Sequence, residues 1–149
     1  MQLTQKETGL IKDLKGQEQL CVEKYRKHAD SAKDPELRGL LNYIAGVEQG
    51  HLQTVTEIQN GQTPSQKDAG PAPAFGATYQ AGESEDKKCD SFICSDLLAT
   101  EKHASHLYDT CIFEFDQQQY RQALGKIQKE EQEHGKLIYD YMKKNSMYS

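Results

Sequence analysis

The chain has 149 residues, of which 36% are hydrophobic and 28% charged, and its formal net charge is −5 at pH 7. This length predicts a single domain over residues 1–149 with one hydrophobic core, while the acidic balance and the lack of a Lys/Arg cluster argue against nucleic acid as a partner. No apolar run reaches the ~20 residues of a membrane-spanning helix, and the charged N-terminal residues do not resemble a secretory signal, so we expect a cytoplasmic protein without membrane contact.

Two helices are predicted in the first half of the chain, over residues 5–31 and 35–59. Thr4 and Glu7 have the spacing of a capping box at the start of the first helix. Asp34 suits the N-cap of the second helix and precedes a proline that fits the first helical turn. In both helices apolar residues recur at alternating intervals of three and four, which predicts one buried face on each.

The segment 60–89 has a different character, because it contains three of the four prolines and shows no sustained periodicity. We interpret it as a long crossover that travels the length of a helix bundle before the next helix begins. Phe75 and Tyr79 are expected to attach this crossover to the bundle, whereas the charged run 83–88 is expected to be solvated.

Two further helices are predicted over residues 91–115 and 118–144, and either Asp90 or Ser91 is expected to cap the first of them. Their apolar residues again follow helical spacing. The sequence therefore predicts an all-α fold, a four-helix bundle made of two helical hairpins that the long crossover joins.

Six ionisable side chains interrupt the apolar faces of these helices near the middle of the bundle. Each one in the first half has a counterpart of the same type 83 residues later. The six residues are Glu18, Glu48 and His51, followed by Glu101, Glu131 and His134. Tyr25 and Tyr108 keep the same offset, so we interpret the two halves as an internal duplication. In each half the histidine follows a glutamate by three residues, which places both side chains on one helical face.

Four carboxylates inside an apolar core would each lose several kcal/mol of hydration free energy and would repel one another. Two divalent cations would cancel these charges and give every oxygen a positive partner. Oxygen ligands with one imidazole per metal favour iron, or else manganese, and bundles with Glu-x-x-His on two helices and a single Glu on the other two hold di-iron centres. The alternative is a metal-free duplicate whose carboxylates pair with Tyr25, Tyr108 or buried water.

This constellation resembles the ligand set of the ferritin-like superfamily, especially its rubrerythrin branch, and the resemblance covers roughly residues 5–59 and 90–144. It implies that Glu48 and Glu131 bridge two metal ions. The remaining roles that it implies are terminal carboxylates at Glu18 and Glu101, one imidazole on each metal from His51 and His134, and carboxylate-orienting hydroxyls at Tyr25 and Tyr108.

The same resemblance implies a non-haem di-iron oxidoreductase or peroxidase that reacts with oxygen or peroxide. Rubrerythrins also carry a rubredoxin domain with two C-x-x-C pairs, which this sequence lacks, so a redox reaction would need an external electron donor. Ala104 stands where rubrerythrins tend to supply a further carboxylate, one turn after Glu101. The chain therefore departs from the pattern that accompanies peroxidase-type movement of the metals.

The second half also bears a looser resemblance to coat-F-type proteins of bacterial spores, in residues 95–102, Tyr108 and residues 119–134. This resemblance implies an alternative function as a structural or assembly protein of the spore coat, with other coat proteins as partners and the bundle as scaffold. A homodimer is also expected, through an apolar patch near the end of the fourth helix formed by Tyr139, Met142 and Tyr148.

Overall fold

The computed structural model describes residues 2–148, which form four α-helices and no β-strand. The helices are α1 (Gln5–Ser31), α2 (Pro35–Gln59), α3 (Glu85–Glu114) and α4 (Gln118–Lys144). The prediction of an all-α protein with four helices is therefore confirmed. None of the helices within residues 2–148 combines the length and the apolar character that crossing a bilayer requires.

The helices pack in two pairs, α1 with α2 and α3 with α4, and further contacts join α1 to α3 and α2 to α4. Within each pair the helices are separated only by residues 32–34 or 115–117, so paired helices run in opposite directions. Each helix thus has two neighbours, as in a four-helix bundle, and the faces that carry the interrupted apolar pattern meet in the interior.

Capping residues define the helix ends as the sequence indicates. The Thr4 hydroxyl accepts a hydrogen bond from the Glu7 amide, while the Glu7 carboxylate accepts one from the Thr4 amide. The Asp34 carboxylate accepts from the Glu36 amide at the start of α2. That helix ends before Gly61, whose φ of 71° lies in the left-handed region where glycine meets no steric penalty.

The third helix begins earlier than the sequence predicts. It starts at Glu85 rather than at residue 91, and its N-cap is Ser84 rather than Asp90 or Ser91. The Ser84 hydroxyl accepts a hydrogen bond from a backbone amide in the first turn. This turn is charged and has no apolar face, so helical periodicity could not reveal it. The crossover therefore covers 60–84 and is five residues shorter than predicted.

The charged run 83–88 also corrects an expectation, because one of its side chains is buried rather than solvated. Lys87 is 3% exposed, and its ammonium group donates hydrogen bonds of 3.0 Å to the carbonyl oxygens of Gln80 and Gly82. These bonds tie the end of the crossover to the first turn of α3.

Side chains from the crossover dock on the bundle as predicted. The Phe75 ring meets the edge of Tyr141, with the ring centroids 5.6 Å apart. The Tyr79 hydroxyl donates to the Asp90 carboxylate at 2.6 Å. The Asn145 side-chain oxygen accepts two backbone amides of the same segment, which anchors it at the end of α4.

Two apolar clusters fill the two ends of the bundle and leave its middle to the polar residues. A fully buried Leu or Ile stabilises a fold by roughly 1.5–3 kcal/mol, so these clusters hold the helices in register around the centre. One cluster includes Leu40, Leu41, Leu97 and Ile138, and the other includes Ile11, Leu14, Val55 and Leu124.

The apolar patch near the end of α4 is smaller than the sequence suggests. Met142 is 3% exposed and belongs to the core, so it does not contribute to a surface. Tyr139 and Tyr148 remain at the surface and contact each other edge to face, with their ring centroids 4.9 Å apart. The homodimer stays a prediction.

Candidate metal centre

Each helix contributes to one buried polar cluster in the middle of the bundle. α1 and α3 each supply one glutamate, and α2 and α4 each supply a glutamate and the histidine three residues later. The structure thus brings all six sequence-predicted residues together, and none is more than 4% exposed. We call these six residues the central cluster: Glu18, Glu48, His51, Glu101, Glu131 and His134.

The histidines reach across the bundle to the glutamate of the opposite helix. The Nδ1 atom of His51 lies 3.1 Å from Oε1 of Glu131 and 3.2 Å from Oε2 of Glu48. The Nδ1 atom of His134 lies 3.0 Å from Oε1 of Glu48. The two rings are nearly parallel, with their centroids 5.9 Å apart. Both imidazoles therefore direct the same nitrogen into the carboxylates.

The central cluster divides into two overlapping groups in which one ligand atom from each residue lies within 4.8 Å of the others. Glu48 and Glu131 belong to both groups. A pair of adjacent cation positions that share two carboxylates would have this form. The groups are Glu18, Glu48, His51 and Glu131, and Glu48, Glu101, Glu131 and His134.

Two buried tyrosines bind the glutamates of α1 and α3, each from the facing helix. The Tyr25 hydroxyl of α1 donates to Oε1 of Glu101 on α3, and the Tyr108 hydroxyl of α3 donates to Oε1 of Glu18 on α1. Both distances are 2.5 Å. Each tyrosine thus fixes one oxygen of a glutamate and leaves the other oxygen directed at the interior.

Those other oxygens have no hydrogen-bond donor. Oε2 of Glu18, of Glu101 and of Glu131 are all buried without a partner in the described chain. A buried polar atom that lacks its partner costs about 1–3 kcal/mol, and more when it is charged. Three such atoms within one cluster fit bound cations, which would give each of these oxygens a positive partner.

Burial and mutual repulsion shift the protonation of the central cluster. Desolvation, followed by the charge of Glu48, raises the pKa of Glu18 and of Glu131 well above the usual value. Burial acts the same way on Glu48, but hydrogen bonds from both histidines outweigh it and hold its pKa well below that value. Burial alone would lower the pKa of His134, yet its carboxylate partners raise it to about 10. Without cations, protons balance the charge.

One polar contact was not predictable from the sequence pattern. Oε1 of Glu130 lies 3.0 Å from Nε2 of His51, on the side of the ring that faces away from the central cluster. From sequence, Glu130 flanks the inward-facing Glu131 and is expected to face solvent or the lysines at 129 and 136. Its side chain is only 15% exposed, because it leans back over the imidazole. No signal in the sequence indicates this, since the matching position of the first half is Val47.

The Coat F domain family matches residues 89–149, which include most of α3, all of α4 and therefore half of the central cluster. The match covers less than half of the chain. It confirms the resemblance to coat-F-type proteins that the second half indicates, whereas membership of the ferritin-like superfamily stays a prediction. Comparisons with curated proteins and with solved structures find no match.

Proposed function

We propose that the protein binds two divalent metal ions in the central cluster, iron most readily and manganese as the alternative. The observation that carries this proposal is the set of three buried oxygens without a donor, on Glu18, Glu101 and Glu131. A cation satisfies such oxygens and offsets the charge of the four carboxylates. Oxygen donors combined with one imidazole per metal suit iron or manganese.

The ligand roles rest on the resemblance to ferritin-like proteins and on the duplicated pattern of the sequence. Glu48 and Glu131 would bridge the ions, in keeping with their place in both groups of the central cluster. The other ligands would be one carboxylate and one Nδ1 atom for each ion, supplied by Glu18 with His51 and by Glu101 with His134.

The chain itself would bind and orient the ligands and limit the access of water. A pair of ferrous ions supplies, when bound, reducing electrons for oxygen or peroxide. The Tyr25 and Tyr108 hydroxyls hold one oxygen of each terminal carboxylate and so direct the other oxygen to the ions. The apolar clusters on both sides keep bulk water away. In this proposal the electrons come from an external donor.

A second candidate function is that of a structural or assembly protein of the spore coat. The Coat F match favours it. In this role the metal ions would join the four helices without reacting, and the surface of the bundle would meet other coat proteins. The match gives the coat role more direct support than the redox role has, because the redox role depends on the resemblance of the ligand residues alone.

Replacing both shared glutamates, Glu48→Ala with Glu131→Ala, tests the metal centre and separates the two functions. Elemental analysis of wild-type protein purified without chelator should find about two metal ions per chain, and the double variant should have none. In a redox protein, Fe(II)-dependent peroxide consumption disappears with the metal. If the protein is a scaffold, wild type should consume no peroxide, and the loss of metal should only lower the melting temperature of the variant.

The matched control is Glu133→Ala, which removes an exposed carboxylate from the same helix. It should keep the metal content, the peroxide consumption and the melting temperature of wild type. Wild-type protein without bound metal, even after addition of Fe(II) or Mn(II), would refute the proposed centre.

A further inference from the structure

A pocket of about 330 Å³ lies on the surface between α2, α4 and the crossover. Its outer wall is the crossover segment 65–70, which runs across it. Hydrogen bonds and an ion pair fasten this segment to the helices. Thr54 Oγ1 donates to the Ser65 carbonyl at 2.7 Å, and the Tyr43 hydroxyl donates to the Gly70 carbonyl at 2.7 Å. The Lys126 ammonium lies 2.9 Å from the Asp68 carboxylate.

The inner wall of the pocket meets the central cluster at a single imidazole. Among the described residues, His51 is the member of the central cluster that lines the pocket. Its Nε2 atom is bound to Glu130, another lining residue, while its Nδ1 atom faces Glu131 and Glu48. One ring therefore separates the solvent-facing pocket from the buried carboxylates.

Two glycines of α2 keep the floor of the pocket open. Gly46 and Gly50 lie one turn apart and both line it. Each glycine in a helix interior costs about 1 kcal/mol relative to alanine. Close helix packing does not explain them, because a Cβ atom built on either residue would meet no atom within 4 Å. The space above them is the pocket itself.

The charges of the pocket favour a cation at its inner end. Two lysines line the pocket, Lys67 and Lys126, and Lys126 pairs with Asp68 at the rim. Further in, Glu130 is followed by the four carboxylates of the central cluster, which attract positive charge through a low-dielectric interior. Glu130 belongs to the second half of the duplicated pattern, and the matching position of the first half is Val47. The acid outside the imidazole is therefore present at His51 and has no counterpart at His134.

We propose that this pocket is the route by which divalent cations enter the central cluster, and that Glu130 is the carboxylate that receives them at its inner end. The Glu130 carboxylate would hold a cation at the inner end of the pocket, and the His51 imidazole, which lies between Glu130 and the carboxylates of Glu131 and Glu48, would have to change its conformation to let the ion pass. This inference rests on the proposed metal centre and adds the path by which it is loaded.

Blocking the pocket without touching the ligands tests this route. Gly46→Leu places a side chain in the open space and also improves helix propensity, so the fold should be kept. Gly39→Leu is the matched control, because Gly39 lies on the same helix with equal space around it and outside the pocket. The measurement is stopped-flow absorbance of metal-free protein mixed with Co(II), followed by elemental analysis at equilibrium.

We expect Gly46→Leu to take up cobalt about tenfold more slowly than wild type and Gly39→Leu, with unchanged final stoichiometry. Glu130→Gln should also slow the uptake, whereas Glu133→Gln on the exposed face of α4 should not. Equal uptake rates in Gly46→Leu and Gly39→Leu at full occupancy would overturn the route alone. If wild type takes up no cobalt at all, the proposed metal centre fails, and the route fails with it.

Discussion

Within residues 2–148 the protein buries two acidic clusters, and they differ in how many of their carboxylate oxygens accept hydrogen bonds. At one end of the bundle, all four carboxylate oxygens of Asp34 and Asp90 accept hydrogen bonds. Backbone amides and two tyrosine hydroxyls are the donors, at distances of 2.5 to 3.0 Å. In the central cluster, three of the carboxylate oxygens have no donor. The end cluster is complete with its acids ionised, whereas the central one needs added protons or cations.

This difference separates a structural use of buried acids from a binding use. The end cluster ties three segments together, since Asp90 of α3 holds the turn before α2 and also holds Tyr79 of the crossover. A fully satisfied polar network of this kind fixes the fold. The central cluster holds more acids than the protein can partner, and such an excess is tolerated only when something else supplies positive charge.

The largest effect is expected where the network is complete. Asp90→Ala should lower the free energy of unfolding by about 3 kcal/mol, because two backbone amides and the Tyr79 hydroxyl lose their acceptor. Urea denaturation followed by circular dichroism measures the change. The metal content of the folded variant should equal that of wild type. A variant that keeps its stability but loses metal would reverse the assignment of the two clusters.

The next largest effect is stabilisation by the ligand itself. Fe(II) or Mn(II) at about 100 times its dissociation constant should stabilise the folded state by about 2.7 kcal/mol and raise the melting temperature, and a chelator should reverse the rise. Asp90→Ala should show the same increment, starting from a lower melting temperature. No increment should remain in the double variant that lacks Glu48 and Glu131. Equal increments in all three proteins would mean that the cations bind elsewhere.

In the metal-free protein, a substitution in the central cluster should change the free energy of unfolding in the opposite direction to a substitution in the end cluster. Glu131→Gln removes a buried acid whose pKa is raised by desolvation and by the charge of Glu48, so it should raise the free energy of unfolding by about 1 kcal/mol. Asp90→Asn should lower the free energy of unfolding, because an amide group that cannot accept a hydrogen bond replaces one of the two carboxylate oxygens that do. Urea denaturation in the presence of chelator compares the two variants. Destabilisation by both would show that the central cluster is also complete without a cation.

The raised pKa values of the central cluster determine the sign of the pH dependence of stability. Desolvation raises the folded-state pKa of Glu18, Glu101 and Glu131, and carboxylate partners raise that of His134 to about 10. A group with a raised folded pKa stabilises the fold at low pH and loses this contribution as the pH rises. Metal-free wild type should therefore lose stability as the pH rises from about 4.5 to 10. The loss should be less steep in Glu131→Gln. Glu48, with its lowered pKa, acts in the other direction at acid pH only.

The sequence predicts the central cluster better than the end cluster, for a physical reason. Glu18 and its five companions interrupt a regular apolar pattern, and helical spacing alone turns them inward. Asp90 suggests a helix cap, because an acid before an apolar run has that function more often than it binds a distant turn. Its partners lie 56 and 57 residues away. Glu130 escapes prediction similarly, since its helical position points outward and only its side-chain conformation reaches His51.

Effects of similar size are expected for two tyrosines that make similar hydrogen bonds in the two clusters. Tyr141→Phe removes a donor from Asp34 and should lower the free energy of unfolding by about 1 kcal/mol while leaving the metal affinity unchanged. Tyr25→Phe removes the donor that holds Glu101 and should weaken metal binding by about tenfold. Isothermal titration with Mn(II) measures the affinity, and urea denaturation with chelator measures the stability. If Tyr25→Phe reduced the stability alone, this hydroxyl would have the same role as that of Tyr141, and the central cluster would be a second structural network with no need of a cation.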